Sequence, residues 1–128
     1  MLDLDHFKAV NDDFGHDQGD QVIALLARCA LTNMPNTALP ARLGGGEFCA
    51  LLPHTDAGLA LAHAQSLRAA FQRDSSALSH SRQHTVSIGI ASTQSSATTL
   101  SLLMSRADKA LYRAKRHGRN RVETADEP

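Results

Sequence analysis

Aromatic side chains are scarce: tryptophan is absent, and Phe, Trp and Tyr together make up 4% of the 128 residues. Recognition of single-stranded RNA or DNA by stacking needs aromatic platforms interleaved with basic residues, and Phe48 and Tyr112 are not placed to provide a pair. An excess of one charge sign is also missing. Lys+Arg 13 against Asp+Glu 13 leaves a formal net charge of zero, so no whole-molecule field draws the chain to a nucleic acid polymer or an anionic membrane, and any anion site must be local. The cysteines, Cys29 and Cys49, lie far apart without Cys-x-x-Cys spacing, which disfavours a disulfide framework or a zinc site and fits reduced thiols. No apolar run is long enough to span a bilayer, and Met1 opens no charged-then-apolar leader. The expectation is one cytoplasmic domain covering residues 1–128, with no membrane contact of its own, in a parent protein that could be membrane-tethered. No internal repeat is visible.

Periodicity divides the chain into strands and helices. Met1 to Asp5 alternates apolar and acidic residues as a half-buried strand does, with Asp3 and Asp5 on one face. Phe7 to Phe14 reads as a short helix stopped by Gly15. Asp17 is placed to N-cap a second helix, with Asp20 near its positive end and Val22, Leu25, Leu26 and Cys29 as its buried stripe; fraying is expected near Asn33 to Pro35. Ala38 to Leu43 and Glu47 to Leu52 make a hairpin, and Thr55 or Asp56 starts a helix with the stripe Ala60, Ala64, Leu67 and Phe71. Asp74 to Gln83 reads as a Ser-rich loop, His84 to Ala91 as a strand and Gln94 to Thr98 as a polar loop. Leu100 to His117 is a helix with Leu103, Met104, Ala107, Leu111 and Ala114 on one side and Gly118 at its cap, and Arg121 to Thr124 adds a short edge strand. This order gives an α+β fold with a β-α-β-β-α-β core of the split βαβ, ferredoxin-like type, an antiparallel-containing sheet and helices on one face.

The most informative stretch is Arg42-Leu43-Gly44-Gly45-Gly46-Glu47-Phe48. Three glycines give a hairpin tip without a side-chain wall, against which a nucleotide triphosphate could lie, although such a run alone is more often a turn. Around it stand Leu2-Asp3-Leu4-Asp5-His6-Phe7-Lys8-Ala9-Val10-Asn11-Asp12, then Gly15-His16-Asp17-Gln18-Gly19-Asp20, then Ala107-Asp108-Lys109-Ala110-Leu111-Tyr112-Arg113-Ala114-Lys115, and finally Gly118-Arg119-Asn120-Arg121-Val122. In that order, from Leu2 to Val122, these blocks resemble the GGDEF domain family, the diguanylate cyclases of bacterial second-messenger signalling.

The resemblance implies a polymerase-palm fold and the condensation of two GTP into cyclic di-GMP plus pyrophosphate, by a homodimer in which each domain presents one GTP. It implies magnesium, with manganese as the alternative, held by Asp3, the Leu4 backbone carbonyl and Glu47. Such an ion prefers one or two carboxylates together with phosphate oxygens. Asn11 and Asp20 match the guanine-reading pair: an amide can pair with the O6 and N7 edge, while a carboxylate accepts from N1 and N2. His16, Phe7, Gly44 and Gly45 fall at substrate-contact positions, Lys8 matches a phosphate contact grouped with the catalytic residues Glu47 and Gly46, and Lys115 and Arg119, one helical turn apart, match the distal phosphate ligands. Taken without the resemblance, each has an ordinary alternative. Asp3 and Asp5 would be solvated carboxylates, an even choice for Asp5; Lys8 an exposed helix lysine; Asn11 a turn former; Asp20 a helix-dipole acid; His16 a structural histidine; and the basic cluster from Arg113 to Arg121 an RNA-binding face or a solvated helix end.

The chain also departs from the family. Gly46 stands where active members carry an acid that coordinates metal and serves as base for the 3′-hydroxyl, and the chain is expected to be truncated at its N-terminus, lacking the family's upstream helix and Asp-x-Leu-Thr-Gly-Leu-x-Asn-Arg segment. Glu47 is intact, but alternation beyond the tip sends it a different way from position 46 unless the loop adapts, making it a partial substitute. The Arg-x-x-Asp of the family's inhibitory product site is replaced by Pro35-Asn36-Thr37-Ala38, so cyclic di-GMP is expected only at the active site. Two functions compete: a diguanylate cyclase of reduced activity, or an inactive regulatory module that binds GTP or cyclic di-GMP.

Overall fold

The structure is a computed structural model that describes residues 1–78 and 82–125. Its elements run β1 (Leu2–Leu4), α1 (Phe7–Phe14), α2 (His16–Asn33), β2 (Leu39–Gly44), β3 (Glu47–Leu51), α3 (Ala57–Ser75), β4 (Val86–Ile90), α4 (Leu100–Arg116) and β5 (Val122–Thr124). The five strands form one sheet in the order β2-β3-β1-β4-β5. β1 is antiparallel to both β3 and β4, and β5 is added parallel to β4. This is the expected α+β, palm-like arrangement, with the shortest interior strand, β1, at its centre.

Alternation on the central strands makes two unlike faces. Leu2, Leu4, Val86 and Ile88 point to one side, where they join Val22, Leu26, Leu67 and Phe71 of α2 and α3 in the main core. Asp3, Asp5, Ser87 and Gly89 fall on the other. Helix α4 lies there, not with the other helices as expected from the sequence. The reason is Gly89: a Cβ at that position would sit 2.2 Å from the Ala107 carbonyl oxygen and 2.3 Å from the Leu111 nitrogen, so α4 rests on bare strand backbone. Its small buried residues Ala107, Ala110 and Ala114 permit the same close approach.

Other local expectations are refined. Asp56 N-caps α3, its carboxylate accepting from Leu59 N at 2.8 Å. Asp17, by contrast, caps nothing: α2 begins two residues earlier than expected, at His16, Gly15 is its N-cap, and Asp17 stands in the first turn, where its charge still favours the helix dipole. Asp74 and Ser75 belong to α3, not to the loop. Ser75 is fully buried, and its hydroxyl accepts from His84 N at 2.7 Å, tying the helix end to the start of β4. Residues 79–81 of that predicted loop lie outside the described residues. α4 closes in a Schellman motif with Gly118 in a left-handed conformation (φ +121°), Arg119 N donating to Ala114 O at 2.9 Å and Gly118 N to Lys115 O at 3.4 Å.

Candidate active site

β1 and the hairpin tip define the first part of the site. In the β1–β3 register Asp3 lies opposite Glu47, and cross-strand partners share a face of the sheet. The doubt about Glu47 therefore resolves geometrically: alternation does separate it from position 46, but it brings Glu47 beside Asp3. Lys115 reaches across from α4 and ion-pairs with the Asp3 carboxylate; the Asp3 side chain is 17% exposed and that of Lys115 34%. Asp3, Glu47 and Lys115 thus meet on the α4 face.

The tip is open on one side only. A Cβ on Gly44 (φ +143°) would meet nothing within 4 Å, whereas the tip is closed at the other end by Phe7 and Leu4. At Gly46, which is buried, a Cβ would approach the Leu4 Cβ to 2.9 Å and the Phe7 Cβ to 3.3 Å. The absent side wall is thus a property of Gly44, while Gly46 lets the loop settle on β1 and α1, its carbonyl accepting from Leu4 N at 2.9 Å. Arg42 braces the same loop, donating to Gly45 O from Nε at 3.1 Å and from Nη2 at 2.8 Å.

The second part is the junction of α1 and α2. Phe7 and Lys8 open α1, and Lys8 is exposed. Asn11 sits half-buried in its last turn, with His16 and Asp20 exposed in the first turns of α2. The Asn11 carboxamide lies against Gly19. Among the described residues the structure gives no hydrogen bond to the side chains of Asn11, His16 or Asp20, so His16 is not tied to loop backbone there.

The third part is the turn after α4. Arg119 and Asn120 both have positive φ, +66° and +48°. Arg119 therefore lies beyond the helix, and its relation to Lys115 is not the i, i+4 spacing of one helical face. Its guanidinium has no ion pair among the described residues. The neighbouring cations are engaged: Arg113 donates to Thr124 O at 2.6 Å, Arg116 lies over the Tyr112 ring at 5.8 Å, and Arg121 Nε donates to Arg119 O at 3.3 Å. What looked like a basic cluster is largely a braced helix end.

Sequence reasoning missed what holds these parts together. Asp5 is neither solvated nor part of the open site: it is buried, and its carboxylate accepts from Thr85 Oγ1 (2.7 Å), Ser87 Oγ (2.7 Å) and Asn120 N (3.0 Å). Asn120 is held further by Arg68, at 3.0 Å, and Gln72, at 3.3 Å. The strand carrying Asp3 and the turn carrying Arg119 are in this way pinned to each other.

No group of three or more His, Cys, Asp or Glu side chains able to hold a metal comes together among the described residues. The pair Asp3 and Glu47 nevertheless fits magnesium, which typically takes one or two protein carboxylates and completes its shell with water and phosphate oxygens. No helix among the described residues is long and apolar enough to cross a membrane.

Comparison with known proteins identifies the family and the fold. Residues 1–121 match the family model "Diguanylate cyclase, GGDEF domain". The chain belongs to that family. It is 38% identical over 125 residues to the response regulator PleD of Caulobacter vibrioides, covering 95% of this chain and 28% of that protein. It is 41% identical over 125 residues to the diguanylate cyclase DgcM of Escherichia coli, covering 98% and 30%. The chain thus spans under a third of the length of these relatives. Among solved structures, the active GGEEF domain of a diguanylate cyclase from Vibrio cholerae superposes with a TM-score of 0.91 at 31% identity, covering 99% of this chain and 81% of that one. The GGDEF domain of DgcB from Caulobacter crescentus, in complex with c-di-GMP, gives 0.86 at 35% identity, covering 98% and 75%.

Proposed function

We propose that this domain binds GTP and condenses two molecules into cyclic di-GMP plus pyrophosphate, at a rate lowered by Gly46. The observation that carries the reading is the register placing Glu47 opposite Asp3, so that a pair of carboxylates remains on one face despite the missing acid. Asp3, the Leu4 carbonyl and Glu47 hold the divalent ion, magnesium or manganese, which when bound neutralises phosphate charge and favours ionisation of the 3′-hydroxyl. Asn11 and Asp20 read guanine, with Phe7, His16, Gly44 and Gly45 as further contacts. Lys8, Lys115 and Arg119 neutralise the triphosphate, and Lys115 exchanges its Asp3 partner for phosphate oxygens as nucleotide enters.

In each of two steps a 3′-oxygen attacks the α-phosphorus of the other GTP. A phosphorus–oxygen bond forms, the bond to the β-phosphate bridging oxygen breaks, pyrophosphate leaves, and the 3′ proton passes to Glu47 or to water. The 3′-hydroxyl and the α-phosphate it attacks belong to different nucleotides, so two domains must meet face to face, each presenting one GTP. The chain operates in the cytoplasm, where GTP is supplied. Without the acid at position 46 the family's base is missing and Glu47 replaces it only in part, a loss of at most roughly a hundredfold to ten-thousandfold.

The test is chromatography of products formed from GTP and magnesium at high protein concentration. Slow but protein-dependent cyclic di-GMP supports the reading, and none at any concentration overturns it. A second reading, a regulatory module that binds GTP or cyclic di-GMP without turnover, is favoured by one observation: the buried seat of Gly46 against Leu4 and Phe7. GTP binding with no product would support it.

A further inference from the structure

Gly19 has no conformational reason to be glycine. Its backbone is ordinary α-helix, a setting in which alanine is preferred and glycine carries an entropic penalty. Nor does close approach of the two helix backbones explain it. A Cβ built on Gly19 would lie 1.9 Å from Asn11 Oδ1, 3.1 Å from its Cγ and 3.8 Å from its Nδ2, and these three atoms of one carboxamide are the nearest it would meet. The two residues are also linked through the backbone, Gly15 N donating to Asn11 O at 2.9 Å and Gly19 N to Gly15 O at 3.1 Å. The amide is therefore laid directly on the backbone of α2, beside Asp20, with no side-chain hydrogen bond among the described residues to orient it.

We infer that Gly19 is a specificity-determining position: by withholding a side chain it seats the Asn11 carboxamide for reading the guanine edge, and a methyl group there would displace the amide while sparing the fold. This rests on the guanine-binding reading above. The amide is the far end of a side chain able to rotate, so the clash is relieved by moving Asn11 and not by parting α1 from α2. Base reading by Asp20 would remain, which makes the expected loss partial.

Calorimetric titration of GTP and of ATP, each with magnesium, into the chain and its Gly19→Ala, Asn11→Ala and double variants tests the inference, with circular dichroism melts run beside it. Gly19→Ala is expected to lose roughly five- to tenfold of its preference for GTP over ATP, as Asn11→Ala does, since one amide hydrogen bond to the guanine edge is worth about that much. The double variant is expected to be no worse than Asn11→Ala alone, because the glycine acts only through the amide. The melting temperature of Gly19→Ala is expected to equal or exceed that of the native chain. Unchanged GTP preference in Gly19→Ala, an additive double variant, or failure of Gly19→Ala to fold would each overturn the inference. If Asn11→Ala itself keeps full GTP preference, the guanine reading fails first and this inference falls with it, a result distinguishable from the others.

Discussion

The two ends of the site spend their polar side chains differently. At the metal end, Asp3 is mostly covered by neighbouring structure and ion-paired with Lys115, and the tip beside it is closed at Gly46 by Leu4 and Phe7. At the base-reading end, Asn11, His16 and Asp20 stand half-buried or exposed, without side-chain hydrogen bonds among the described residues. Burial accounts for the contrast. A carboxylate removed from water needs a compensating cation, whereas an exposed acid or a neutral amide can wait in solvent for its ligand. On the proposed reading, the metal end therefore has to exchange partners when nucleotide arrives, and it is also the end that lacks an acid. The base-reading end keeps every residue expected of it.

Breaking the metal end has the largest expected effect. Asp3→Ala removes half of the carboxylate pair and strands Lys115, and cyclic di-GMP formation is expected to fall on the order of a thousandfold, read by chromatography at saturating GTP. Binding of GTP without metal should change far less, and an equal loss in both would mean that the two ends are not separable. Breaking the clasp between the parts comes next. Asp5→Ala leaves the Ser87 hydroxyl and the Asn120 amide without their acceptor, at a cost on the order of 3 kcal/mol by urea unfolding. In the protein that remains folded, the KM for GTP is expected to rise more than kcat falls, since Arg119 loses its fixed turn.

Two smaller effects sharpen the same contrast. Arg119→Ala is expected to raise the KM for GTP several-fold, and Arg121→Ala, whose guanidinium turns back on Arg119 O, to leave it unchanged. Equal effects would make the basic cluster a diffuse field and not a set of placed ligands. Cyclic di-GMP should also bind at the base-reading end and compete with GTP, so that raising GTP relieves inhibition. The turn from Pro35 to Ala38 supplies no arginine–aspartate pair for a separate product site. Inhibition insensitive to GTP would place the product elsewhere.

Much of this was legible in the sequence, for local reasons. Alternation in Met1 to Asp5 and stripes such as Ala60, Ala64, Leu67 and Phe71 are direct consequences of strand and helix periodicity, and those elements fall within a residue or two of expectation. The side of the sheet that carries α4 was harder, because alternation says which residues share a face and not what covers it. Gly89, an isolated glycine within a strand pattern, was the available signal of close backbone approach. The place of Glu47 depended on the β1–β3 register that pairs it with Asp3, and a slip of one residue would have reversed its face. The role of Asp5 had no local signature at all, since its bond to Asn120 N joins residues 115 apart.

The central claim is that recognition is intact while chemistry is limited by one missing acid. It is tested most directly by measuring, on the same preparations, GTP affinity and cyclic di-GMP production for the native chain and for Gly46→Asp. The Vibrio cholerae neighbour, with its GGEEF signature, shows that the fold accepts an acid at the third position, although here the new Cβ would stand 2.9 Å from the Leu4 Cβ, so that the tip or the β1 backbone must shift. The account predicts about a tenfold or greater rise in product with GTP affinity unchanged within about threefold. A folded Gly46→Asp protein that binds GTP as before and makes product no faster would contradict it.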